Sequence, residues 1–180
     1  MRLFTAVIFD DEIKDSLCGV MEKLRPLTDK GSFTLRENLH LTLNFIGETD
    51  KENLVMDAMK KAVSLADAKA FELTFAGFGR FRRSEGDICW IGVEKNGQLI
   101  RLQKELADCL TDVGFVLEDR EYKPHLTLAR RVKFKDKFNQ KEFEAYVPRM
   151  TQRVSRISLM KSEHIKGKLT YTEIFYVDLQ

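Results

Sequence analysis

Apolar and polar positions alternate along this chain in two periods, and the change from one period to the other marks its elements. Leu3 to Phe9 is a nearly continuous apolar run, as expected of a buried strand. Ile13, Leu17, Val20, Met21 and Leu24 then recur at helical spacing, and Pro26 limits that helix. Leu39 to Phe45 alternates as a strand and ends at Gly47. A second helix is expected from Lys51 to Ala68, with Val55, Met59, Ala62, Val63 and Ala66 inward. Phe71 to Phe78 reads as a strand. The polar stretch GRFRRSEGD, with glycines near both ends, reads as a turn and as the junction between two lobes. Beyond it come a strand at Ile88 to Val93, a helix from Gln98 to Val113 stopped by Gly114, and a strand at His125 to Arg130. A short helix near Asn139 to Tyr146 follows, with closing strands at Val154 to Met160 and Leu169 to Leu179.

The second half repeats the first in order and spacing. From Leu3 to His40 is 37 positions, and from Ile88 to His125 is also 37. Each interval ends on the same tetrapeptide, HLTL, at His40–Leu43 and His125–Leu128. A duplicated unit explains the repeated word. It predicts two similar lobes within a single domain over residues 1–180, packed around a pseudo-twofold axis with equivalent points facing across a cleft.

Composition narrows the class. The apolar fraction is 43% and the charged fraction 32%, as in a packed globular protein. No run is long enough for a membrane helix, and the N-terminal stretch lacks a signal-peptide cleavage pattern. Cys18, Cys89 and Cys109 show no paired spacing, which suggests free thiols in a reducing cytoplasm. Net charge is only +2. Residues 1–90 hold 13 Lys/Arg against 15 Asp/Glu, and residues 91–180 hold 17 against 13. Seven cations lie between Arg120 and Lys137, around the second HLTL, against Glu121 and Asp136. Such a cluster suits a phosphate-bearing ligand, although charge alone favours an ordinary solvated surface.

Strand alternation gives HLTL its chemistry. The leucines face one side, toward helices, while His40 with Thr42 and His125 with Thr127 face the other. Two imidazoles can give and take protons near neutral pH, and two hydroxyls can hold non-bridging phosphate oxygens. Alternation also puts Arg131 on the histidine side and Arg130 opposite. A bulge would reverse that, so both remain candidates. Phe45 and Ile46 are expected in the core. Tyr122 and Phe81 are expected to pack in the core or at the surface rather than stack on a base. His164, outside the repeat, is read as a surface residue. Two histidines could also bind zinc, but catalytic zinc normally takes three protein ligands, and no carboxylate stands at i+2 or i+4 of either. No cysteine lies near either motif to make a Cys–His nucleophile.

The segments ENLHLTLNFIGE and YKPHLTLARR resemble the two H-x-T-x motifs of the 2H phosphoesterase superfamily, and most nearly its RNA 2',3'-cyclic phosphodiesterases, also called 2'-5' RNA ligases. The opening MRLFTAVIFDDEI, FELTFAGFGRF and the closing KSEHIKGKLTYTEI sit where that family has similar segments. The resemblance implies a bilobal α+β fold, with antiparallel sheets lining a cleft and helices outside. It implies hydrolysis of an RNA 2',3'-cyclic phosphate to a 2'-phosphate, without metal or cofactor. By motif, His40 is the proton donor to the departing 3' oxygen and His125 the acceptor that activates water. Thr42 and Thr127 hold the phosphate, and Arg130 matches the arginine that often follows the second motif. The closing segment has HIKGKL where the family carries a glycine- and proline-rich run, which bears on the substrate rim. An RNA end-binding module and a 2'-5' ligase acting on tRNA halves are the alternatives. A monomer with no obligate protein partner and no membrane contact is expected.

Overall fold

The structure, a computed structural model, describes residues 1–180. Its elements are strands β1 (Arg2–Ile8), β2 (Thr28–Phe33), β3 (His40–Glu48), β4 (Phe71–Phe81), β5 (Asp87–Val93), β6 (His125–Phe134), β7 (Met150–Val154), β8 (Arg156–Ile165) and β9 (Lys168–Asp178). The helices are α1 (Asp11–Leu24), α2 (Glu52–Leu65), α3 (Gly97–Asp112) and the short α4 (Gln140–Glu144). The α1 stripe from Ile13 to Leu24 is buried throughout, as its spacing predicts. Asn96 begins α3 by accepting the Leu99 N–H on its side chain at 2.9 Å, and Gly114 ends it with φ +97.

The strands form two antiparallel sheets, ordered β3-β1-β8-β9 and β2-β6-β5-β4-β7. β1 lies between β3 and β8, and β5 lies between β6 and β4. The trio β3-β1-β8 therefore matches β6-β5-β4, which is the pseudo-twofold order that the duplication predicts. One face of each sheet and the helices share a continuous core that includes Leu41, Leu43, Leu126 and Leu128. On the other face of the first sheet, Phe4, Ala6 and Met160 make a small separate cluster with Ile8 and Tyr171.

The lobes are not the halves of the sequence. The expected junction at GRFRRSEGD is a hairpin turn that joins β4 to β5 inside one sheet. A connection that short forces the two strands to be neighbours. The halves exchange strands instead: β4 of the first half completes the second sheet, and β8 of the second half completes the first. The closing strand expected over Val154 to Met160 is likewise two strands. The chain breaks at Ser155 as it passes from β7 in the second sheet to β8 in the first. β2 is a strand that periodicity does not predict, because TDKGSF carries no apolar alternation. It forms by pairing with the outer edge of β6.

Phe45 departs from its expected core position and is 42% exposed. The pairing of β1 with β3 shifts register between Thr5 and Ala6, so Asn44 turns inward and Phe45 outward. No helix is long and apolar enough to cross a membrane.

Candidate active site

His40 opens β3 and His125 opens β6, at equivalent places in the two sheets. Each ring is held in the same way. His40 Nδ1 lies 2.7 Å from the Asn38 carbonyl oxygen, and His125 Nδ1 lies 2.7 Å from that of Lys123. A carbonyl can only accept, so Nδ1 carries hydrogen in both rings. In the neutral state this leaves Nε2 with the free lone pair. The motif thus fixes the tautomer through a backbone group two residues earlier.

The two Nε2 atoms differ in their neighbours. His40 Nε2 lies 2.9 Å from Thr42 Oγ1, the i+2 pair expected on one face of a strand. His125 Nε2 makes no hydrogen bond within the protein. Thr127 shares the His125 face, and its carbonyl accepts from the Thr34 hydroxyl at 2.9 Å.

Asn38 anchors the first histidine from beneath. It is buried, donates from Nδ2 to the Leu169 carbonyl at 2.9 Å, and accepts the Tyr171 N–H on Oδ1 at 3.3 Å. Aromatic rings frame both imidazoles. Phe4 and Tyr171 lie 4.9 Å and 5.2 Å from the His40 ring. Phe81 meets His125 edge-on at 5.1 Å, with Trp90 at 6.3 Å. Sequence periodicity finds none of these framing roles, because Tyr171 and Phe4 reach His40 only through the pairing of four strands. Gly79 could have given a signal. A Cβ there would run into the Trp90 ring, so the glycine marks where the indole lies flat on β4.

Arg130 stands in the cleft, and its charge acts on His40, His125 and Tyr171 together. Strict alternation would have put Arg131 there. A register shift between Cys89 and Trp90 leaves both Leu128 and Ala129 in the core and so brings Arg130 to the histidine side. Arg131, at a second shift and with a left-handed backbone, φ 53, returns Val132 to the core. Burial is the main force that lowers both histidine pKa values below the ordinary 6.5. The Arg130 guanidinium adds to it, and the carbonyl acceptors pull the other way.

A cavity of about 500 Å³ extends from this centre, lined by Thr42, Phe45, Phe81, Arg83, His125 and Arg130 among others. Its wall is tied across the cleft by Tyr122, whose hydroxyl donates to the Thr42 carbonyl at 2.8 Å. Tyr122 packs against the core and also borders the cavity. His164 is exposed near the end of β8, opposite Leu169 of β9. No group of three or more His, Cys, Asp or Glu side chains is placed to hold a metal ion. Cys89 and Cys109 are buried, and burial pushes the Cys89 thiol up to about 12.

An α+β protein in which a duplicated strand brings an H-x-T pair from each of two sheets to one cleft defines the class. The sequence pattern of the 2'-5' RNA ligase superfamily matches residues 13–165, and the chain belongs to that superfamily. An RNA 2',3'-cyclic phosphodiesterase of Thermotoga maritima is 30% identical over 90% of this chain and 87% of its own length. One of Methanocaldococcus jannaschii is 35% identical over 76% of this chain and 74% of its own. Among solved structures, E. coli LigT complexed with 3'-AMP superposes with a TM-score of 0.76 at 26% identity, covering 99% of this chain and 97% of that one.

Proposed function

We propose that this protein hydrolyses RNA 2',3'-cyclic phosphodiester ends to 2'-phosphomonoesters by two-histidine acid–base catalysis, without a metal ion. The observation that carries the reading is the doubled imidazole geometry, with Nδ1–H fixed on a carbonyl in each motif and Arg130 charge reaching both rings. Relatives named RNA 2',3'-cyclic phosphodiesterase support the substrate.

In this mechanism His125 Nε2, with its lone pair free, takes a proton from water as the water oxygen bonds to phosphorus. The bond from phosphorus to the 3' oxygen breaks, and that oxygen takes the proton of charged His40 from Nε2. Thr42 and Thr127 donate hydrogen bonds to non-bridging oxygens, and Arg130 offsets the charge that grows on them. In the free protein the Thr42 hydroxyl oxygen accepts from protonated His40 Nε2, and the 3' oxygen takes its place as acceptor when substrate binds. Within this reading the protein works as a monomer in the cytoplasm, on RNA, with no cofactor.

The test is a short RNA with a 2',3'-cyclic phosphate, incubated with the protein in EDTA, and the product identified against 2'- and 3'-phosphate standards. A 2'-phosphate is expected. His40→Ala and His125→Ala should each lower turnover by roughly 10²- to 10⁴-fold while circular dichroism stays that of wild type. Binding of the RNA without turnover would overturn the reading in favour of an end-binding module. Joining of a 5'-hydroxyl strand in preference to hydrolysis would favour a ligase.

A further inference from the structure

The basic stretch from Arg120 to Lys137 separates in the fold. Arg130 enters the cleft and Arg131 is turned aside by its left-handed backbone. Val132 is buried in the core, so Lys133 stands on the opposite face of β6, the face of His125 and Thr127. Lys133 lies directly across from Lys30 of β2, and Arg130 lies across from Ser32. A Cβ at Gly31 would touch the Val132 side chain, which again puts Lys30 on the face away from the core.

Lys30 and Lys133 are both exposed, and neither forms an ion pair. The lysines that do are Lys60, Lys61, Lys104, Lys161 and Lys168. Asp29 precedes Lys30 but pairs with neither. Like charges directly opposite on neighbouring strands repel and destabilise the pair. In the free protein no acidic side chain pairs with either ammonium, and solvent screens their repulsion only in part. A bound anion between the two ammonium groups would.

The position of the pair indicates which anion. At about 3.3 Å per residue, Lys133 lies about 10 Å along β6 from Arg130. An extended single strand covers such a distance in a few nucleotides, and proteins follow its backbone with a row of cations. We infer that the cleft face of the β2–β6 ribbon is the track of the RNA strand leading to the cyclic end, with Lys30 and Lys133 together holding a phosphodiester upstream of the reacting one. This rests on the reading of the cleft as an RNA cyclic phosphodiesterase, and it adds a place for the strand upstream of the reacting end, which a free nucleoside cyclic phosphate would leave empty.

The experiment compares kcat/KM on a nucleoside 2',3'-cyclic phosphate with kcat/KM on cyclic-ended RNAs of two to eight nucleotides, at several salt concentrations. Wild type and a Lys30→Gln/Lys133→Gln double variant are run together, and thermal unfolding confirms that both fold. Wild type should prefer the longer RNAs by about tenfold or more, with the preference in KM and weakened by salt. The double variant should lose most of that preference and keep its rate on the nucleoside. Its salt slope on long RNA should be shallower by about 0.7, the change expected for one single-strand phosphate contact. Lys30→Glu, which sets a carboxylate opposite Lys133, should remove the preference at least as fully. Equal use of short and long ends by wild type, or an unchanged preference in the double variant, would overturn the inference while leaving the enzymatic reading intact. No turnover on any cyclic end would instead overturn the enzymatic reading.

Discussion

The Tyr122 hydroxyl donates to the Thr42 carbonyl at 2.8 Å, so the segment that leads into one histidine is fastened to the strand that carries the other. Burial raises the Tyr122 pKa well above its ordinary value, which keeps the phenol protonated and able to donate. Tyr122→Phe should lower stability by about 1 kcal/mol, the usual net worth of such a bond. It should lower kcat/KM several-fold at temperatures where the variant is fully folded, because the spacing of the two motifs depends on this tie. Thermal unfolding and steady-state kinetics read the two effects separately. A variant with wild-type kinetics would show that the tie serves stability alone.

The pH profile follows from the lowered histidine pKa values. The base must be neutral and the acid charged, so one histidine sets each limb and the two limbs report the pair. With both values below 6.5, kcat/KM should already be falling by the time the pH rises through 6.5. Folding stability runs the opposite way. The unfolded chain binds protons at its histidines near 6.5, and the folded chain binds them only at lower pH. The stability tied to these groups is therefore whole above pH 6.5 and is lost as pH falls toward the folded values. Kinetics and denaturant titrations between about pH 4.5 and 8, values chosen to bracket the histidine range, test both trends.

Two adjacent arginines should behave differently. Arg130→Met should cost kcat/KM roughly 10²-fold or more, as loss of a cation that stabilises developing charge commonly does. It should also move both pH limbs upward, because its charge acts on both histidines. Arg131→Met should change kcat/KM little. Arg131→Gly should be neutral or stabilising by up to about 1 kcal/mol, because its φ of 53 is one that glycine adopts freely. A large kinetic effect at Arg131 and none at Arg130 would reverse the assignment.

Gly79→Ala should displace the Trp90 ring, which lies directly over that glycine. A loss of about 1–3 kcal/mol is expected from overpacking, together with reduced activity, because Trp90 and Phe81 frame His125. Trp90 is the single tryptophan of the chain, so intrinsic fluorescence reports its displacement without a label. Unchanged emission with wild-type stability would contradict this packing of indole on glycine.

The parts of the fold that were legible in the sequence were those written in local periodicity. The α1 and α3 stripes, the two HLTL strands and the repeat itself are set by residues a few positions apart. What was not legible depends on partners distant in sequence. β2 has no pattern of its own and exists because β6 offers an edge. The break at Ser155 depends on β7 and β8 finding different sheets. Phe45 and Arg130 each moved to the other face through an irregularity in pairing, which alternation within one strand cannot foresee. In the site, the two histidines and threonines could be read from a repeated word. Asn38, Tyr171 and Phe4 could not, because they meet His40 only once β9, β8, β1 and β3 lie side by side.

The exchange of β4 and β8 between the sheets has a consequence for how such a chain could arise. Two copies of a three-strand repeat, each giving its third strand to the other, would rebuild the matched cores β3-β1-β8 and β6-β5-β4 without any covalent link between them, with β2, β7 and β9 added outside them. The order of these trios is the one a strand-swapped homodimer would have, with the cleft on its twofold axis. On that axis two identical imidazoles would be interchangeable, and neither could be committed to holding a proton. Fusion lets the halves diverge: Asn38 under one ring and Lys123 under the other, a threonine bonded to only one Nε2, and Arg130 contributed from one side alone. The two imidazoles can be told apart here because the symmetry is no longer complete.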